Sequence, residues 1–331
     1  MYEDFYGLRE RPFELLPNPR FLFLSPQHQE ALTNLNYGLS GRPGITLVIG
    51  DAGTGKSTLI RAALEGSRSI GSRVALMANP TLTRAEFYEH LSKTLGFSAE
   101  AATSKTAFLR EMDAALVECR DAGGILALIV DEAQSLPSEL LEELRLLTNA
   151  GAEGLTSLTL VLVGQPELAD RLNDPSLRQL KQRIALRAEL APLSLKETAG
   201  YIASRITIAG GRADQVFTRD AVLAIHAASK GLPRVISVLC DNALVTGFAA
   251  NVRPVGSAIV SEVCADFDLP RVTVPERPSA PARPAPATPP VAPQRADPRP
   301  AAEPSNTRHE REMFSNVKEP RRFSFFRGAR G

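Results

Sequence analysis

The chain has no tryptophan and only three cysteines among its 331 residues. Cys119, Cys240 and Cys264 lie far apart, which excludes a disulfide framework and a cysteine-rich zinc site. No apolar run reaches the roughly 18 residues that a transmembrane helix needs, and the first residues lack the basic and apolar regions of a signal peptide. We therefore predict a soluble protein of a reducing cytoplasm.

A large net charge is also missing, but the charge that is present is unevenly distributed. From residue 270 to the end there are 12 Arg and Lys against 6 Asp and Glu, a net of +6, so the chain total of +1 leaves −5 for residues 1–269. Prolines make up 12 of the 35 residues in 270–304, a composition that cannot bury a core and predicts an extended, disordered tail. The tail ends in RRFSFFRGARG, which could dock on an anionic membrane or in a partner groove, or stay solvated.

Short apolar runs alternate with helical patterns through the first part of the chain. Because continuous apolar strands separated by helices are typical of a covered parallel sheet, we predict an α/β unit with five parallel strands between helices. The predicted strands are 45–49, 74–78, 125–130, 158–163 and 186–190. The predicted helices between them are 57–67, 84–96, 104–121, 138–149 and 166–172.

The two ends of this unit follow different patterns. Residues 1–24 are rich in aromatics and prolines and are predicted to be extended. A helix is expected from the N-cap Ser25 to Gly41. After residue 193 the strand signal disappears and four helical patterns follow. The predicted organisation is an α/β domain with its N-terminal extension at 1–193, a small helical lid at 194–268 and the tail at 269–331.

The stretch GDAGTGKS, residues 50–57, matches the phosphate-binding pattern G-x-x-x-x-G-K-[ST]. Its glycines allow tight turns that expose backbone N–H groups to phosphate, Lys56 can reach the β- and γ-phosphates, and Ser57 can bind Mg²⁺. A glycine-rich turn that binds nothing would look similar, but the preceding apolar strand and the following helix favour phosphate binding. The predicted nucleotide-binding residues are Gly50, Asp51, Ala52, Gly53, Thr54, Gly55, Lys56, Ser57 and Thr58.

Polar residues follow two later strands. Asp131 and Glu132 end the run ILALIVDE, where Asp131 can hold Mg²⁺ and Glu132 can polarise a water aimed at the γ-phosphate. Gln165 ends the next strand, where it can orient water or serve as a turn residue before Pro166.

Two arginine positions lie outside these strand ends. LRQLKQRIALR carries Arg178, Arg183 and Arg187 just before and within the fifth strand. One of these cations could face the γ-phosphate bound by a neighbouring subunit, and the choice between Arg183 and Arg178 stays open. Arg234, in GLPRVIS, could contact phosphates of its own subunit from the helical unit. The alternative for each position is a solvent-exposed arginine on a helix that contacts no phosphate.

Taken together, these residues resemble an additional-strand AAA+ ATPase of the ExeA, or general secretion pathway protein A, group, which includes ATPases of exosortase and exopolysaccharide loci. The resemblance covers about residues 1–268. It is carried by the aromatic N-terminus and by GDAGTGKST, LIVDEAQSL, LVGQPEL, LRQLKQRI and GLPRVIS. It implies a Walker A loop at 50–57, a Walker B pair at Asp131–Glu132, sensor 1 at Gln165, a trans arginine finger at Arg183 and sensor 2 at Arg234.

The resemblance also implies ATP and Mg²⁺ as ligands, homo-oligomers, and an N-terminal stretch that brings Tyr2 and Phe13 near the adenine. We expect a cytoplasmic ATPase that powers or regulates an envelope secretion or polysaccharide-export system, with the tail able to touch the inner face of the plasma membrane. The alternatives are a DNA-linked, transposition-type AAA+ regulator and a nucleotide-gated switch with little turnover. The acidic body disfavours nucleic acid.

Overall fold

The fold was established from a computed structural model of the chain, which describes residues 1–14, 18–40, 44–66, 71–78, 80–149, 158–267 and 269. The predicted tail lies outside these residues, apart from residue 269. Five strands form one parallel sheet in the order β2-β3-β4-β1-β5, which confirms the predicted α/β fold. The strands are β1 (Ile45–Gly50), β2 (Arg73–Met77), β3 (Leu126–Val130), β4 (Thr159–Gly164) and β5 (Ile184–Leu190).

Helices cover both faces of the sheet. One face packs against α2 (Pro26–Gly38) and α3 (Lys56–Gly66), whose apolar side chains share a core with the inner strands. The other face packs against the helices that connect β2, β3, β4 and β5, in a larger core. These are α4 (Arg84–Leu95), α5 (Ala99–Thr103), α6 (Lys105–Asp121), α7 (Ser138–Leu147), α8 (Pro166–Arg171) and α9 (Arg178–Lys181).

A buried carboxylate ties three of these helices together. Glu143 of α7 is 4% exposed and accepts hydrogen bonds from the Tyr88 hydroxyl at 2.6 Å and from Lys105 Nζ at 2.8 Å. It also pairs with Arg84. Burial alone would raise the pKa of Glu143, but the bonds from Lys105 and Tyr88 and the two positive charges hold it below its usual range.

A helical unit follows the sheet. Its helices are α10 (Leu195–Ile208), α11 (Ala213–Val216), α12 (Arg219–Ser229), α13 (Pro233–Ala249) and α14 (Ser257–Asp266). Ser194 and Glu197 form a capping box at the start of α10. Within the described residues, no helix is both long and apolar enough to cross a bilayer.

The N-terminal segment belongs to the core of this helical unit. Tyr2, Tyr6 and Phe13 are each 1% exposed and pack with side chains of α10, α12 and α13. The Tyr2 hydroxyl donates to Asp241. The prediction of an entirely extended segment is wrong at residues 3–6, which form the short helix α1 (Glu3–Tyr6) ended by Gly7 in the left-handed region at φ 71°.

The guanidinium of Arg205, on α10, holds the N-terminal segment against the helical unit. It donates to the carbonyl oxygens of Pro12 at 2.5 Å and Glu14 at 3.4 Å, and it lies over the rings of Phe13 and Phe21. Cation–π contacts of this kind each contribute about 0.5–2 kcal/mol. Helix α2 begins at the side of the sheet where β1 ends.

Candidate functional site

The glycine-rich loop lies between the end of β1 and the start of α3. Gly53 and Gly55 have φ values of 85° and 103°, which favour glycine because other side chains are strained there. The Thr54 hydroxyl donates to the Asp51 carbonyl at 2.8 Å and closes the turn. Since α3 begins at Lys56, its free N–H groups and positive dipole end face the loop.

Lys56 lies under the loop and is 5% exposed. Its Nζ donates to the carbonyl oxygens of Gly50 at 2.7 Å and Asp51 at 3.0 Å. Burial lowers the pKa of Lys56, although the charges of Glu132 and Asp131 oppose the shift. A buried ammonium with carboxylates near it but no ion pair among the described residues is suited to neutralise an added anion.

The serine of the loop and the acid at the end of β3 are hydrogen-bonded to each other. Ser57 Oγ donates to Asp131 Oδ2 at 2.8 Å, and Asp131 is 8% exposed. The other carboxylate oxygen of Asp131 accepts from the backbone N–H of Glu132 at 2.9 Å. A hydroxyl beside a carboxylate is the oxygen ligand set that Mg²⁺ prefers, so these two residues could hold that ion.

Glu132 points away from Asp131 and contacts amide side chains. Its Oε2 accepts from Gln165 Nε2 at 3.0 Å and from Gln134 Nε2 at 2.5 Å. Burial alone would raise the pKa of Glu132, but these two hydrogen bonds and the charge of Lys56 hold it below its usual range. The carboxylate is therefore ionised at neutral pH and able to accept a proton.

The helical unit contacts the loop through the start of α13. The backbone N–H of Arg234 donates to the Gly53 carbonyl at 3.2 Å. A Cβ at Gly53 would lie 3.0 Å from Arg234 Cβ, so glycine also permits this close approach. The Arg234 side chain lines a cavity of about 380 Å³ between the loop and the helical unit. The cavity is also lined by Glu14, Asn18, Phe21, Gly53, Lys56, Ser57, Glu132, Tyr201, Arg205 and Ser237.

The arginines of the predicted finger lie elsewhere. Arg183 precedes β5, beside the beginning of β1, whereas the loop follows the end of β1. Six strand residues at roughly 3.3 Å each put about 17–20 Å between them. Arg183 Nη1 donates to Thr148 Oγ1 at 2.8 Å, and Arg178 is exposed on α9. Arg183 therefore cannot reach the cavity of its own chain.

One expectation for the cavity is wrong. Tyr2 and Phe13 are fully buried in the core of the helical unit and do not line the cavity. The aromatic residue of the N-terminal segment that does line it is Phe21. The arrangement follows from Arg205, which holds the carbonyls of residues 12 and 14 against α10 and so buries Phe13 in the helical unit.

Sequence reasoning missed His28 and Gln134. His28 is 5% exposed; its Nδ1 lies 2.7 Å from Ser25 Oγ and its Nε2 lies 2.9 Å from the Thr54 carbonyl oxygen. It therefore anchors the glycine-rich loop from α2. Its signal in the sequence is a polar ring on the buried face of a helix. Gln134 could have been noticed as an amide two positions after the predicted base.

Comparisons with known proteins identify the type of domain that the chain carries. Residues 39–172 match the AAA domain family, so the chain carries an AAA domain with a nucleotide-binding P-loop fold. Solved structures share the fold. The Aeropyrum pernix ORC2 protein superposes with a TM-score of 0.58 at 18% identity, over 78% of this chain and 71% of the other. The Walker-type ATPase PABY2304 of Pyrococcus abyssi gives 0.56 at 20% identity, over 78% and 77%.

A sequence relative narrows the assignment. Over 249 residues, or 75% of its length, the chain is 38% identical to general secretion pathway protein A of Aeromonas hydrophila. This AAA-domain protein is therefore a relative of general secretion pathway protein A, as the resemblance in its motifs indicated. The aligned region spans 45% of the relative, so less than half of that protein is represented.

Proposed function

We propose that the protein binds Mg·ATP in the cavity beside the glycine-rich loop and hydrolyses it. The observation that carries the proposal is that Lys56, Ser57 and Glu132 line one cavity, with Asp131 hydrogen-bonded to Ser57. Backbone N–H groups of the loop and the Lys56 ammonium bind the phosphates. Mg²⁺, when bound beside Ser57 and Asp131, neutralises phosphate charge.

In this proposal Glu132 accepts the proton of the attacking water and Gln165 helps to orient that water. Arg234 contacts the phosphates from the helical unit, because its helix already begins against Gly53. The lid assignment of 194–268 rests on this contact and on the separate core of the helical unit.

Steady-state hydrolysis and nucleotide binding test the enzymatic part. We expect Glu132→Gln to lower kcat by about a hundredfold or more while ATP binding is retained, since the amide cannot act as a base. Lys56→Ala should abolish tight binding. Glu139→Gln is the matched control, because Glu139 is exposed on α7, and it should behave as wild type. No turnover in either wild type or Glu132→Gln would favour a nucleotide-gated switch instead.

We further propose that Arg183 completes the site of a neighbouring copy in a homo-oligomer. The support is the distance of Arg183 from the loop of its own chain. To serve another subunit, the guanidinium would exchange its bond to Thr148 for one to phosphate. A mixing experiment tests this. Arg183→Ala chains keep an intact nucleotide site and Glu132→Gln chains keep an intact arginine, so a mixture should recover activity that neither variant has alone. The same experiment with Arg178→Ala decides between the two arginines, since the one that is not the finger stays active unmixed.

The cellular role proposed is to power or regulate assembly of an envelope secretion or polysaccharide-export system. It is supported by the 38% identity to general secretion pathway protein A. The protein would act in the cytoplasm, with its basic and aromatic tail touching the inner face of the plasma membrane. The test is deletion of the gene and complementation with wild type or Glu132→Gln, scored by secreted protein and exported polysaccharide. DNA binding with a steep salt dependence would favour the DNA-linked alternative.

A further inference from the structure

Gln134 lies in the one-turn helix Ala133–Ser135, directly after the proposed base and beside the end of β4. We propose that Gln134 is a positioning residue: its amide fixes the Glu132 carboxylate in the orientation for proton transfer and links it to the Gln165 backbone. The inference rests on the proposed ATPase function. Gln134 does not line the nucleotide cavity, so it would act only through Glu132 and Gln165.

Both the nitrogen and the oxygen of the Gln134 side-chain amide form hydrogen bonds. Nε2 donates to Glu132 Oε2 at 2.5 Å, and Oε1 accepts from the backbone N–H of Gln165 at 3.1 Å. The backbone N–H of Gln165 can only donate, so the amide oxygen must face it and the amide nitrogen must face the carboxylate. The orientation of the donor toward Glu132 is therefore set by the end of β4.

The two amides share one carboxylate oxygen. Gln165 Nε2 also donates to Glu132 Oε2, at 3.0 Å. Among the described residues, no side chain donates a hydrogen bond to the other oxygen, Oε1. A carboxylate held at one oxygen by two donors presents the second oxygen in a fixed direction, which a proton acceptor for a bound water requires.

The backbone around Gln134 is held as well. Glu132 adopts the left-handed region at φ 53°, which is uncommon for a residue with a side chain and costs about 1–3 kcal/mol. The Gln134 carbonyl oxygen accepts from Arg171 Nη1 at 2.5 Å. Arg171, on α8, thus stabilises the turn that contains both Glu132 and Gln134.

Space for the amide is provided by Gly164. A Cβ at this position would lie 2.8 Å from Gln134 Oε1 and equally close to Leu168 Cδ2, a separation that real Cβ atoms do not show. Gly164 does not have a positive φ, so its backbone conformation does not require glycine. Glycine at the end of β4 is therefore explained by packing, in part by the approach of Gln134.

The test is a comparison of kcat, KM for ATP and ATP affinity between wild type and Gln134→Leu, which has a similar volume but no donor or acceptor. Loss of a hydrogen bond to a charged group predicts a fall in kcat of about tenfold to hundredfold. KM and affinity should change less than about twofold, because the residue does not touch the cavity. Gln134→Asn, whose amide is one methylene shorter and cannot reach both partners, should show the same pattern if the leucine variant folds poorly.

A double-mutant cycle separates positioning from a structural role. In the Glu132→Gln background, Gln134→Leu should cause no further loss of kcat, because its effect passes through the missing carboxylate. An equal fractional loss in both backgrounds, or a kcat equal to that of wild type in the single variants, overturns the proposal. If instead Glu132→Gln itself turns over like wild type, the proposed function has failed, and the two failures are distinguishable.

Discussion

Replacing Phe13 by alanine should destabilise the helical unit without removing a nucleotide contact. The ring is 1% exposed, lies 6.3 Å from the ring of Phe217 in an edge-to-face arrangement and carries the Arg205 guanidinium at 6.0 Å from its centroid. All of these contacts belong to the core formed by the N-terminal segment and α10–α13.

The magnitude follows from burial. A buried Phe→Ala substitution removes the whole ring and leaves a cavity, at a cost of about 3–5 kcal/mol. In a folded unit of this size each kcal/mol lowers the unfolding midpoint by about 2–4 °C, so we expect a drop of about 10 °C. The measurement is thermal unfolding of the nucleotide-free protein by circular dichroism, with ATP affinity measured below the transition.

Phe267→Ala is the matched control, because Phe267 is 46% exposed and its loss should cost less than about 0.5 kcal/mol. An unchanged midpoint for Phe13→Ala together with weakened ATP binding would refute the assignment of Phe13 to the core. That result would restore the expectation that this ring lies against the base.

Three further perturbations concern the loop, the α/β core and the base. His28→Ala leaves the buried Thr54 carbonyl without its partner at a cost of about 1–3 kcal/mol, so ATP affinity measured by calorimetry should fall by roughly tenfold. Glu143→Leu should lower the free energy of unfolding in urea by about 1–3 kcal/mol, since its partner cations are half exposed and only the Tyr88 hydroxyl is stranded. The pKa of Glu132 is lowered, so the base stays ionised through the pH range in which an ordinary glutamate carboxylate is protonated. The part of kcat that depends on Glu132 should therefore be lost only below that range, in a measurement of kcat against pH.

The sheet could be predicted from the sequence because each strand is marked by its own residues. The run that became β3, Leu126–Val130, is buried along its whole length, so its pattern needed no knowledge of neighbours. The closeness of Ser57 and Asp131 could also be expected, since the carboxyl ends of all strands of a parallel sheet lie at one edge, even for β1 and β3, which β4 separates.

What could not be predicted depends on long-range packing. The burial of Tyr2 and Phe13 depends on Arg205 and on helices about 200 residues away in the sequence, and no local pattern identifies such partners. Gln134 was missed for a different reason. Its role requires the left-handed turn at Glu132 and the absence of a side chain at Gly164, and the sequence DEAQ indicates neither.

The burial of residues 1–14 among α10–α13 has a consequence for synthesis of the chain. Tyr2 is separated by 239 residues from Asp241, the partner of its hydroxyl, and closing so long a loop is entropically costly and slow. During translation these aromatic side chains emerge well before the helices that receive them, and they stay accessible to chaperones and proteases until α13 is complete. A cut at residue 193 would therefore strand apolar surface on both fragments, and neither should be soluble alone.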